Sequence, residues 1–255
     1  MDYKQFVNEF FAFSKLDLNA YKESQMKRRI DSHIKKTSAN NYAQFLQFLK
    51  GNPKAYEEFL SYITINVSEF FRDPKQWAIL EKDILPKTID PNKTFNVWSA
   101  ACSTGDEPYT LAMLLSKLIP TNKFKIIATD YDKEILKKAR QGVYPEKQLL
   151  HLPEDYKRKY FTKSGDKYTI TAAIKRNIEF KHHNLLKDAY PQNMDLIVCR
   201  NVLIYFTEPA KAEIYQKFSN SLNKTGTLFV GSTEQIITPS QFGLSSNKIF
   251  FYNKI

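Results

Sequence analysis

Apolar residues in the first 73 positions recur at helical spacing. Phe6, Phe10 and Phe13 are separated by about one turn, as are Phe45, Leu46 and Leu49, then Tyr56, Phe59, Leu60 and Ile63, a pattern that predicts amphipathic helices. Between Tyr21 and Lys36, Met26, Ile30 and Ile34 form one stripe. Lys22, Arg29 and Lys36 repeat on another face with Arg28 and Lys35 beside them. One side of that helix suits a core. The other is strongly basic, either a solvated face or a docking surface for an acidic partner.

From about Lys93 the pattern changes to strand and helix in alternation. Thr94 to Ala101 reads as a strand, Pro108 to Leu118 as a helix, Lys125 to Thr129 as a strand and Lys133 to Arg140 as a charged helix. Ile178 to His182 and Asp195 to Cys199 are strand-like. Pro209 to Leu222 follows as a helix, Gly226 to Val230 as a strand, and Lys248 to Tyr252 as a closing strand. Such alternation implies a mostly parallel sheet covered on both faces. Tyr160 to Arg176 breaks the rhythm: a Lys163-Ser164-Gly165-Asp166 turn before Tyr168-Thr169-Ile170 predicts a small β excursion. The expected organisation is a helical unit over 1–73, a linker over 74–92 and an α/β domain over 93–255 with a β insertion at about 160–178.

Composition narrows the class without choosing a function. A chain of 255 residues with 42% hydrophobic and 25% charged residues is ordinary for a globular protein. No run approaches the ~18 apolar residues of a membrane span. Met1-Asp2-Tyr3-Lys4 lacks a signal-peptide layout, so a cytoplasmic protein is expected. Cys102 and Cys199 sit in apolar runs and read as reduced thiols. No metal site is expected, because His33 and His151 are isolated and adjacent His182 and His183 on a strand point to opposite faces. The net charge of +11 suits an acidic partner of any kind.

In doubly wound sheets, ligands sit at the carboxyl ends of the strands. Here the first strand runs into Cys102-Ser103-Thr104-Gly105-Asp106-Glu107-Pro108, and the second ends at Asp130, whose two oxygens can take both hydroxyls of a ribose. With one glycine the loop is no dinucleotide fingerprint. Asp106 and Glu107 would repel a pyrophosphate there but suit a ligand carrying an ammonium and a sulfonium.

Three runs together resemble the CheR family of chemotaxis receptor methyltransferases. They are Ile65-Asn66-Val67-Ser68-Glu69-Phe70-Phe71-Arg72, Trp98 to Tyr109 with its Ser99-Ala100-Ala101-Cys102-Ser103-Thr104-Gly105-Asp106-Glu107-Pro108 core, and Cys199-Arg200-Asn201-Val202-Leu203-Ile204-Tyr205-Phe206. The likeness extends to the helical front and to Gly231-Ser232-Thr233-Glu234. Ser68 stands where the family often has Thr, and Asp106 where it often has Glu.

The resemblance implies a Rossmann-like class I methyltransferase domain of α/β class with a small β subdomain, preceded by an all-α N-terminal domain. It implies a protein-glutamate O-methyltransferase that uses S-adenosylmethionine, releases S-adenosylhomocysteine and forms glutamate methyl esters on receptors for sensory adaptation. By similarity Asn66, Ser68, Arg72, Ala101, Glu107, Asp130, Asn184, Leu185, Arg200 and Asn201 line the cofactor site. Glu107 is implied for the methionine ammonium, Asp130 for the ribose, and Asn184 and Leu185 for the adenine. Arg72 and Tyr205 are the implied catalytic pair. Lys22, Arg28, Arg29 and Lys36 are expected to dock the acidic helical bundle of the receptor. A monomer recruited to membrane receptor arrays is expected, without membrane insertion or nucleic acid. Some family members grip a receptor tether with the β subdomain; the stretch here is short with only Gly165, so no tether is expected. The rival readings are an RNA or ribosomal-protein methyltransferase on the same fold and a non-catalytic binding module.

Overall fold

The computed structural model describes residues 1–255. Its N-terminal unit packs α1 (Tyr3–Ser14), α2 (Glu23–Ile34), α3 (Tyr42–Gly51) and α4 (Pro53–Ile63) around one apolar cluster. The helix starts are written locally. Asp2 and Gln5 form a reciprocal capping box, Asn41 accepts from the Gln44 amide, and Asn52 accepts from the Ala55 amide ahead of Pro53. Met26 and Ile30 are buried and Ile34 is half-buried, so the stripe read from the sequence is the core face of α2.

Residues 74–92, expected as a linker, are largely helical instead. The segment α5 (Pro74–Ile79), one π-helical turn (Leu80–Ile84) and α6 (Leu85–Thr88) run on from one another. The reason is apolar spacing: Trp77, Leu80, Ile84 and Leu85 are buried in the same cluster as the sheet residues Phe95, Val97, Leu196 and Phe229.

The α/β unit follows in the order β1 (Phe95–Ala100), α7 (Asp106–Leu118), β2 (Phe124–Asp130), α8 (Lys133–Gln141), β3 (Val143–Pro145), α9 (Glu154–Tyr160), β4 (Phe161–Ser164), β5 (Lys167–Ile170), α10 (Ala172–Lys175), β6 (Ile178–His182), β7 (Met194–Cys199), α11 (Glu208–Ser221), β8 (Leu222–Val230), β9 (Leu244–Lys248) and β10 (Phe251–Lys254). The main sheet has seven strands in the order β6-β2-β1-β7-β8-β10-β9. The pairs from β6 to β8 are parallel, and the β9–β10 hairpin is antiparallel. Strand order reverses between β1 and β7, which puts the ligand end of this Rossmann-like sheet at the loops after those strands.

Two elements differ from expectation. The closing strand is a hairpin, because the chain turns at Phe250, whose φ is 70°, within the run read as one strand. The β insertion is a separate three-stranded sheet in the order β3-β5-β4, and it recruits Val143–Pro145 from upstream of the expected 160–178.

The helical unit is fastened to the α/β unit at two places beside the ligand end. At the first, the Lys22 amide donates to the Tyr205 carbonyl (2.9 Å), the Thr207 amide donates to the Ala20 carbonyl (2.8 Å), and the Tyr21 ring stacks on Phe206 at 4.6 Å. At the second, Ser61 and Asn66 both donate to the Asp132 carboxylate. No helix is long and apolar enough to cross a membrane.

Candidate active site

One cleft of about 1220 Å³, its open mouth included, lies where the helical unit meets the switch point of the sheet. It gathers Asn66, Ser68 and Arg72, then Ala101, Glu107 and Asp130, then Asn184, Leu185, Arg200, Asn201 and Tyr205. These are all the residues expected at a cofactor and catalytic site, brought together from distant parts of the chain. The backbone around them is unusual. Ile65, Phe71, Asp73, Ala101, Ser103 and Asn201 all have φ between 49° and 60° without being glycine. Left-handed residues of this kind cost on the order of 1 kcal/mol each and cluster at functional sites.

One wall of the cleft is acidic and built on strand ends. The Asp130 carboxylate accepts the Ser103 amide on Oδ2 (2.8 Å) and the Asp132 amide on Oδ1 (2.9 Å). One acceptor direction per oxygen remains for a diol. Burial pushes its pKa up to about 6. Glu107, in the first turn of α7, accepts a hydrogen bond from Ser99 Oγ (2.7 Å). Burial raises it to about 7, against the opposing pull of Arg200. A carboxylate held this high in a cleft is stabilised by any cation that arrives. Asp106 does not share that role. It is fully buried and turned away from the cleft, with Thr104 Oγ1 and Gln148 Nε2 donating to it.

The opposite wall is basic and comes from the helical unit and the segment after it. Arg72 and Tyr205 are both half-buried on the cleft, with Lys22 and Arg29 beside them. The structure divides the four expected docking residues. Arg29 turns into the cleft, its guanidinium 4.6 Å from the centroid of the Tyr62 ring and donating to the Tyr62 carbonyl. Lys36 is exposed, its ammonium 5.1 Å from the centroid of the same ring. Arg28 faces away with Lys27 and Lys35 along an open polar groove. A helix turns about 100° per residue, so adjacent Arg28 and Arg29 cannot share one face.

Arg200 lines the cleft as expected, yet its guanidinium is engaged by the protein itself. Its side chain is only 3% exposed. The guanidinium lies against both the Trp77 and Phe229 rings, 5.2 and 4.8 Å from their centroids. Its Nη2 donates to the Arg72 carbonyl (2.9 Å), to Asp73 Oδ2 (3.0 Å) and to Gln76 Oε1 (3.2 Å). Arg200 therefore clamps the turn that presents Arg72. Asn66 and Asn184 are also partly engaged elsewhere: Asn66 donates to Asp132 Oδ2 (2.8 Å), and the Asn184 side-chain carbonyl accepts the Leu186 amide. Within that turn the Leu185 amide has no partner in the protein, and Leu185 lines the cleft.

Glu234 was not singled out as a site residue, yet it shapes the loop carrying three of them. Its Oε2 accepts the amides of Asn201 (2.6 Å) and Gly231 (2.8 Å), and its Oε1 those of Val202 (2.7 Å) and Leu203 (2.6 Å). Gly231 is required for this approach, since a Cβ there would lie 2.5 Å from Glu234 Oε2 and 2.8 Å from the Asn201 amide nitrogen.

Buried polar atoms without partners concentrate on the cleft. Five of the seven in the protein belong to residues lining it: Arg29 Nε, Ser103 Oγ, His183 Nδ1, Arg200 Nε and Asn201 Oδ1. Such atoms are costly unless a ligand completes them. Donors, acceptors, two raised carboxylates and apolar Leu185 and Val202 fit a ligand with a diol, a cation and a flat base, as S-adenosylmethionine has.

Comparison with known proteins agrees. Residues 66–251 match the family described as "CheR methyltransferase, SAM binding domain", and residues 1–64 the one described as "CheR methyltransferase, all-alpha domain". A "Chemotaxis protein methyltransferase" of Listeria monocytogenes is 46% identical over 94% of this chain and 92% of its own length. The protein of that name from Listeria innocua is 45% identical over the same shares. One from Borreliella burgdorferi is 35% identical over 87% of this chain and 83% of its own. With both of its parts matched in order and relatives of this similarity along nearly all its length, the chain belongs to the CheR family of S-adenosylmethionine-dependent methyltransferases.

Proposed function

We propose that the protein esterifies side-chain carboxylates of specific glutamates in chemotaxis receptors. The observation that carries this reading is the pairing of walls. Two buried carboxylates, Asp130 and Glu107, suit a cationic ligand, and Arg72 and Tyr205, which line the same cleft, suit an incoming carboxylate. When bound, S-adenosylmethionine supplies an activated methyl group on a sulfonium. Asp130 holds the ribose hydroxyls, Glu107 the ammonium, and the Leu185 amide with Asn184 the edge of the adenine. Asn66, Ser68, Ala101 and Asn201 complete the lining.

A glutamate has an unperturbed pKa near ~4.3 and arrives already ionised, so no general base is required. One carboxylate oxygen forms a bond to the methyl carbon as the carbon–sulfur bond breaks and its electron pair returns to sulfur. A negative and a positive group become a neutral ester and a neutral thioether. Excluding water favours that step, because water stabilises the separated charges more than the transition state. Arg72 and Tyr205 orient the incoming carboxylate. Arg200 acts through Arg72 by fixing its backbone.

The same reading makes residues 1–73 the receptor-docking domain, with the acidic helical bundle of a receptor meeting Lys22, Arg29 and Lys36. The enzyme then works as a cytoplasmic monomer recruited to receptor arrays. The test is transfer of labelled methyl from S-adenosylmethionine to a receptor cytoplasmic fragment, followed by mild alkali. Release of the label as methanol is expected. Alkali-stable label, or preferred transfer to RNA, overturns the reading.

A further inference from the structure

We infer that Asp132 is a positioning residue for the cofactor, setting both the Asp130 carboxylate and the Asn66 side chain from one buried group. Asp132 is 3% exposed, and none of its atoms lines the cleft. Its oxygens divide the work. Oδ1 caps α8 by accepting the amides of Glu134 (2.9 Å) and Ile135 (3.1 Å). Oδ2 accepts Ser61 Oγ from α4 and Asn66 Nδ2 (2.8 Å) from the segment that leads to Arg72. Its own amide donates to Asp130 Oδ1 at 2.9 Å.

The carboxylate therefore joins the last turn of the helical unit, the start of the cleft-lining segment and a helix N-terminus, while the backbone amide of the same residue holds the acceptor at the end of β2. A helix cap alone needs only the first oxygen. The second spans more than sixty positions of chain to reach Ser61 and Asn66. Asn66 Nδ2 also reaches Thr64 Oγ1 (3.2 Å) and the Ser61 carbonyl (3.5 Å), but its shortest bond, and its one charged acceptor, is Asp132 Oδ2 (2.8 Å), which fixes the side-chain amide of this cleft-lining residue most firmly. Asp130 is held in turn between the amides of Asp132 and Ser103. A shift of Asp132 is felt at both.

The inference rests on the reading that Asp130 holds the ribose, and the test separates the two. Asp132→Asn preserves the helix cap, because asparagine caps as well as aspartate. It turns the second acceptor into a donor facing the Asn66 amide, itself a donor, while the Ser61 hydroxyl can turn to accept. Calorimetric titration with S-adenosylhomocysteine, which needs no receptor, should show affinity lower by roughly tenfold. Asp132→Ser also keeps a capping oxygen but offers Asn66 no second acceptor, and should cost a similar factor. Ser61→Ala, the milder variant should Asp132→Asn fold poorly, removes one donor and should cost about threefold. Parent-like affinity in Asp132→Asn, Asp132→Ser and Ser61→Ala overturns the inference. Asp130→Ala is the control. If it binds like the parent, the ribose reading fails and takes this one with it; if it loses binding while Asp132→Asn does not, only the positioning role of Asp132 fails.

Discussion

The two walls of the cleft are built in different ways. The acidic wall hangs on strand ends: Asp130 and Glu107 have their oxygens fixed by the backbone amides of Ser103 and Asp132 and by the hydroxyl of Ser99. Neither carboxylate is in a salt bridge, although Arg200 and Arg72 pull on Glu107 from a distance. The basic wall is assembled from the segment and helix that precede the sheet together with the loop after β7. Arg72 is presented by a turn whose carbonyl Arg200 grips, and Tyr205 by a loop tied to Lys22 and to Glu234. A small ligand of constant shape suits the first kind of wall, since it can be met by preorganised groups. A macromolecule that brings one carboxylate among many suits the second, where longer side chains reach toward the opening. The walls should therefore separate in experiment, one governing cofactor affinity and the other turnover and receptor recognition.

The largest effect is expected at Arg72. Arg72→Ala should lower the methylation rate at saturating receptor by roughly 10²–10³-fold, as for other preorganised electrostatic groups, with affinity for S-adenosylhomocysteine within about threefold. Rapid quench and calorimetry measure the two quantities. A matching loss of cofactor affinity would merge the two walls into one site and break the comparison.

Glu107 tests the acidic wall through pH. Its carboxyl is raised to about 7 by burial, so below that pH the free protein carries a proton that a cationic ligand must displace. Affinity for S-adenosylmethionine should be flat just above pH 7 and fall by up to about tenfold per unit below it. Glu107→Gln should weaken binding by roughly tenfold at pH 7.5 and flatten the profile between pH 7 and 6. The fall that remains begins near pH 6, where Asp130 takes its proton. A parent-like profile in Glu107→Gln assigns the titration to another group.

Glu234 sharpens the comparison from the other side. Glu234→Gln leaves one oxygen for four amides and should loosen the Asn201–Leu203 turn. Turnover should drop by roughly tenfold, with a smaller change in cofactor affinity, because Tyr205 follows that turn while Asp130 does not touch it. Equal losses in both would place Asn201 among the chief cofactor contacts.

The strands β1, β2 and β7 were legible because buried parallel strands are short apolar runs bounded by polar turns, and the edge strand β6 because Ile178 and Phe180 alternate with Glu179 and Lys181. The cleft residues were legible because they stand in runs with few other uses, such as Arg200-Asn201 after β7. Contacts made by backbone were not. Nothing in Gly231-Ser232-Thr233-Glu234 announces a carboxylate holding four amides, and β3 is three residues ending in proline, below what alternation can resolve. Direction was lost as well. Asp106 and Glu107 are neighbours of equal charge, and only the start of α7 at Asp106 decides that the second faces the ligand. Arg200 stood in the correct loop, yet the rings of Trp77 and Phe229 turn it inward, and both lie far from it in sequence.

The smallest effects belong to the docking residues, and they are graded by how far each reaches into the cleft. Arg29 is half-buried at the mouth with its Nε unpartnered, whereas Lys36 and Arg28 are exposed. Reversal to glutamate should raise the apparent Michaelis constant for receptor by roughly tenfold at Arg29 and about threefold at Lys36 at low salt. Arg28→Glu, on the far groove, should do least. Because exposed charges are screened within about 8 Å at physiological ionic strength, the Lys36 effect should vanish as salt is raised. The Arg29 effect should persist in part, since its charge sits against the Tyr62 ring beside the bound partner. Three equal effects that disappear together would mean that the receptor senses only the net charge of α2, and that the division of its basic residues between cleft and solvent has no bearing on recognition.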